Sequence, residues 1–69
     1  MTNTNLLQEV IKKSGLKLQY LADSLGISRT ALSNKIQNET EFKASEILAL
    51  CVLLKIEDPE LKEKIFFAH

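Results

Sequence analysis

LQYLADSLGISRTALSNKIQN, residues 18–38, reads as two short helices joined by a tight turn. Leu21 and Leu25 lie four apart and stack on one face of the first helix. Ala22, four residues before Gly26, is small enough to let a second helix pack closely. Gly26 follows Leu25, where a helix commonly ends on a left-handed residue that glycine adopts without a side-chain clash. Ile27 plugs the corner, and Ser28 is a good N-cap for the next helix.

That next helix, from Ser28 to Gln37, has two faces. On a wheel with Arg29 at the origin, Thr30, Ser33, Asn34 and Gln37 fall within an arc of roughly 140°. All five can donate hydrogen bonds and none is acidic. Leu32 and Ile36 lie on the far side, and burying each contributes roughly 1.5–3 kcal/mol. An apolar back with a donor-rich front suits the major groove of DNA. Arg pairs with guanine, Asn and Gln with adenine, and Ser or Thr with either. Arg29, Thr30, Ser33 and Asn34 are the candidates for base edges, because the N-terminal end of such a helix enters the groove deepest. Lys17, Gln19, Lys35, Gln37 and Lys43 are candidates for backbone contacts, with Ser28 at the helix start completing the DNA-binding set.

Working outward, Asn5 to Ser14 reads as the first helix, with Asn5 as cap and Gln8 as its capping-box partner. Leu6, Leu7, Val10 and Ile11 form its inward stripe, Lys12 and Lys13 suit its last turn, and Gly15 closes it. Lys17 opens the second helix. After the Asn38–Phe42 loop, where Phe42 is expected under the loop as core, a fourth helix runs from Ala44 to Leu54. Ala44, Ile47, Leu50, Cys51 and Leu54 make its core face, and Leu48 and Val52 form a second apolar ridge outside it. Asp58-Pro59 marks a restart, with Asp as N-cap and Pro at the first helical position of a fifth helix reaching Phe67. Phe66 and Phe67 are adjacent and cannot point the same way. Together with Leu48, Val52 and Ile65 they are the candidates for a dimer or partner interface, against simple packing over the fourth helix.

The expected architecture is all-α: one domain over residues 1–69, a compact bundle of five short helices. An enzyme with a deep pocket is not expected at this size. Cys51 is the sole cysteine and lies in an apolar stripe, so it reads as a small buried hydrophobe. It gives no internal disulfide and no metal cluster. His69 is the sole histidine, and no carboxylate pair converges with it. No cofactor, metal or small-molecule ligand is expected. Nothing resembles a signal peptide or a membrane span, and the cytoplasm of a bacterial host is the expected location.

Net charge is zero, which is unusual for a DNA binder, but it is unevenly spread. Residues 1–38 carry five basic and two acidic residues, net plus three, and residues 39–69 carry four and seven, net minus three. The basic half can face phosphate while the acidic half turns away. The same dipole equally suits an acidic docking surface for a protein partner.

Ala22, Gly26, Ile27 and Leu32 match the spacing of the helix-turn-helix, and SLGISRTALSNKI resembles the lambda repressor and Cro-like group. Segments such as NKIQNETEFKASEI and KEKIFFA are similar to small Cro- or repressor-like proteins of phages and prophages of Gram-positive bacteria. The resemblance covers about Leu6 to Ala68. It implies a DNA-binding transcriptional regulator on double-stranded operator DNA. One recognition helix gives little contact, for which a two-fold dimer reading two half-sites is the usual answer, with monomer, homodimer and a complex with a repressor partner left open by the sequence. One departure stands out. Family members often begin the first helix of the pair with Thr-Gln, whose Gln touches phosphate; here the aligned residues are Lys17 and Leu18, with Gln19 one place later. The alternative on the same fold is an antirepressor or modulator that binds a phage repressor and blocks or alters its DNA binding.

Overall fold

The N-terminal segment is where local sequence and global fold first meet. In the computed structural model, which describes residues 1–68, the first helix is α1, Thr4–Ser14. Its cap is Asn3 rather than Asn5. The Asn3 backbone is extended and its side chain accepts from the Leu6 N–H at 3.1 Å, so Thr4 and Asn5 are already helical. Asn3 is fixed there because its own N–H donates to the Ile65 carbonyl, and this tertiary bond selects between two asparagines of equal local merit. Gly15, at φ 74°, ends the helix as expected.

α2 is Leu18–Leu25 and α3 is Arg29–Ile36. Gly26 sits between them at φ 72°, and the Ile27 N–H returns to the Ala22 carbonyl at 3.1 Å. The Ser28 hydroxyl then accepts from the Ala31 N–H at 3.0 Å and starts α3. Lys17 is the residue before α2 and not its first turn, and no side chain caps that helix. α4 is Ala44–Leu53, with Leu54 closing it, and α5 is Pro59–Phe66, with Phe67 closing it. Asp58 accepts from the Glu60 N–H at 2.9 Å with Pro59 behind it, as the Asp-Pro pair predicts.

α2 packs on α3 and α4, and α1 packs on α3 and α5, so the chain forms an all-α bundle of five helices among the described residues. Leu7, Leu21, Leu32, Leu50 and Ile65 are fully enclosed, one from each helix. Phe42 packs against this core and meets Phe66 edge to face at 5.6 Å, a favourable arrangement for two aromatic quadrupoles. Two expectations fail on α4 and α5. Ala44 is exposed, and the buried arc of α4 is rotated so that Glu46 takes a place in it. Ile65 and Phe66 are both buried in the core and are unavailable to a partner; Phe67 is the exposed member of the aromatic pair. No helix is long and apolar enough to cross a membrane, and His69 lies outside the described residues.

Leu50→Ala is expected to destabilise the fold by about 2–5 kcal/mol, since it empties a fully enclosed site. Val52→Ala, two residues on and on the opposite, exposed ridge, should change stability by less than about 0.5 kcal/mol. Urea unfolding of the two variants side by side checks which face of α4 is buried.

Candidate nucleic-acid interface

The front of α3 is built by its back. Leu32 and Ile36 are held in the core, and this fixes the rotation of the helix about its axis. Arg29, Thr30, Asn34 and Gln37 then stand on the exposed side and Ser33 is half-buried beside them. Among the described residues, none of these five side chains forms a hydrogen bond or ion pair within the chain. Their donors are free for a ligand. Ser28 is exposed too, but its oxygen already holds the first turn of α3.

The predicted backbone-contact residues divide. Lys17 and Lys43 are exposed residues directly before α2 and α4, at the positive ends of those helix dipoles. Gln19 is exposed, with its amide donating to Asp23 at 2.9 Å one turn on. Lys35 departs from the expectation. Its ammonium turns inward to Glu46 at 3.0 Å and also donates to the Glu41 carbonyl at 3.0 Å. The two charged side chains keep only 12% and 9% of their surface exposed. Lys35 is thus a tie between α3 and α4, not a free cation on the flank of the recognition face.

Glu46 was not singled out by sequence reading. The signal was present in its position as the third residue of α4, where a carboxylate reaches back to the preceding backbone. Here it accepts from the Lys43 N–H at 2.8 Å. Burial would raise the carboxyl pKa, but the Lys43 N–H and the Lys35 ammonium outweigh it and hold the group below its ordinary value. Asn38 was missed as well. It takes the left-handed conformation at φ 67° just past α3, and its side-chain amide clasps Thr2 through two bonds, at 2.9 and 2.8 Å. An asparagine directly after a helix is the residue type that tolerates this backbone.

On the opposite side of α4, Leu48 and Val52 are 58% and 77% exposed, and Phe67 on the α5 end is 48% exposed. An open groove of about 660 Å³ runs beside them, lined by Leu48, Cys51, Val52, Ile56, Pro59 and Lys62 among others. Cys51 is buried at its floor, and that burial raises its thiol pKa, with Lys62 pulling slightly the other way. Among the described residues no group of three metal-ligating side chains converges.

The depressed Glu46 carboxyl carries a sign. The unfolded chain binds its proton more readily than the folded one, so the stabilisation is present above the ordinary carboxylate value and is lost as pH falls through the folded value. Urea midpoints measured from about pH 7 to about pH 3 are expected to fall more steeply for the wild type than for Glu46→Gln. Parallel curves would show that Glu46 is not held charged.

Residues 7–61, well over half of the chain, match the family model described as helix-turn-helix. No curated protein and no solved structure matches the chain. The matched span runs from α1 into α5 and contains the α2–turn–α3 unit with its front of free donors. The chain belongs to the helix-turn-helix family of the lambda repressor and Cro type, a family of DNA-binding transcription regulators.

Proposed function

We propose that the chain is a sequence-specific repressor of phage or prophage type, from a Gram-positive host, that reads operator DNA with α3 in the major groove. The observation that carries this reading is the unpaired front of Arg29, Thr30, Ser33, Asn34 and Gln37 on a helix whose back is locked in the core. Arg29 and Thr30, in the first turn of α3, take base edges with Ser33 and Asn34. Lys17, Gln19, Gln37 and Lys43 take the backbone, where they position the protein and set its salt dependence. Lys35 is left out of the set because its charge is already matched by Glu46. Ser28 acts as the cap that aims the helix. Operator DNA places the protein in the bacterial cytoplasm.

One copy cannot read two half-sites. The longest extent of the molecule is 27 Å, whereas successive half-sites on one face of the duplex lie about 34 Å apart. We assign the second half-site to a second copy, docked through Leu48, Val52 and Phe67. The rim of the adjoining groove carries Lys55 and Lys62 against Glu57 and Asp58, so it is neutral and meets its own two-fold mate without net repulsion. An obligate modulator of another repressor would use the same surface, and it is the outcome to which failure of DNA binding would point.

The deciding experiment measures binding of the purified protein to duplex DNA from its own locus and to a scrambled duplex, at two salt concentrations. Preference for the native duplex with affinity falling steeply as salt rises supports the repressor. Equal weak binding to both would overturn it and favour the modulator. Arg29→Ala is expected to cost about 1–3 kcal/mol and to relax one base position. Equal weakening on all sequences would reassign Arg29 to phosphate. In sedimentation, Val52→Glu should shift the wild-type dimer to monomer without loss of helicity, and an unshifted dimer would place the interface elsewhere.

A further inference from the structure

We infer that Glu46 is a specificity-determining positioning residue: it keeps the Lys35 charge off the DNA backbone and pins the loop that follows the recognition helix. This rests on the repressor reading of α3.

Lys35 lies between Asn34 and Ile36, in the second half of α3. It is the one cation in that half of the helix. A free ammonium there would attract phosphate on every sequence alike, because phosphate contacts carry no base information. It would strengthen background binding more than operator binding. Glu46 prevents this from the buried side. The residue is only 7% exposed, and one of its oxygens, Oε1, accepts from both Lys35 Nζ and the Lys43 N–H. Lys35 in turn donates to the Glu41 carbonyl. Through this carboxylate and the Lys35 ammonium, the end of α3, the 38–43 loop and the start of α4 are tied together. Asn38 closes the other end of that loop on Thr2. The same carboxylate therefore removes a promiscuous cation and sets where Lys43, a backbone-contact residue, stands relative to α3.

The arrangement is testable because Glu46→Gln keeps the size and the acceptor for Lys43 but loses the charge. The probes are the native-locus duplex and a scrambled duplex of equal length. In E46Q, binding to the scrambled duplex should acquire a salt slope steeper by about 0.9, one additional phosphate. That is about three-fold more loss of affinity between about 50 and about 200 mM salt, with a fall in the native-to-scrambled ratio. Adding Lys35→Met to E46Q should return the slope to the wild-type value, a rescue that a purely structural defect would not show. An unchanged slope in folded E46Q, or a steep slope that persists in the double variant, overturns the inference while leaving the repressor reading intact. A wild-type ratio near one takes down both.

A measurement on the wild type keeps the test open should E46Q not fold. Under limiting acetylation followed by mass spectrometry, Lys35 should be the slowest of the eight lysines and should gain no further protection when the native-locus duplex is added. Lys17 and Lys43 should gain it. Lys35 reacting as fast as the exposed Lys12 and Lys13, or becoming protected only on DNA, overturns the inference.

Discussion

The rest of the structure depends on the rotation of α3 about its own axis. A helix of eight residues has little stability of its own, so its orientation comes from packing. Leu32 and Ile36 supply that packing, one turn apart, and everything polar on the helix is placed by where those two side chains go. α2 meets α3 across the Gly26 turn, and α1 holds it from the other side. The remaining helices complete an enclosure that a short chain can barely provide. At 69 residues only about 60% of the unfolded surface is removed from water, so each enclosed leucine is a large share of the margin.

Some of this was legible in the sequence because it is written in local chemistry. Gly26 has to be left-handed, Ser28 has a hydroxyl at the start of a helix, and Asp58-Pro59 combines a cap with a fixed φ. These residues act within a few positions of themselves, and the structure places them as read. The all-α architecture, the buried Cys51 and the inward Phe42 followed from helical spacing in the same way.

What escaped was decided by partners distant in sequence. Asn3 and Asn5 are equally good caps until the Ile65 carbonyl takes the Asn3 N–H. The α4 wheel favours Ala44 over Glu46 on hydropathy alone, and only a lysine eleven positions earlier makes the carboxylate acceptable inside. Ile65 and Phe66 looked like an apolar ending in search of a cover, yet α1 and Phe42 cover them. For the candidate site, the exposed front of α3 could be read from periodicity, while the loss of Lys35 from it could not. A wheel reports direction, not what waits at the end of a long side chain.

The bonds around Met1–Asn3 bear on how the domain closes. Asn3 N–H reaches the Ile65 carbonyl, the Ala68 N–H reaches the Met1 carbonyl, and Thr2 is held by Asn38. Residues 1–3 are thus bound by residues far along the chain, at positions 38 and 65–68. α1, α2 and α3 are closed by bonds within and just beyond each helix, but the Met1–Asn3 segment has nowhere to settle until residues 65–68 reach it. Such closure between distant positions is the slow part of folding. The bundle therefore closes like a ring, with residues 1–3 and residues 65–68 meeting only when the whole of the intervening helical segment is in place.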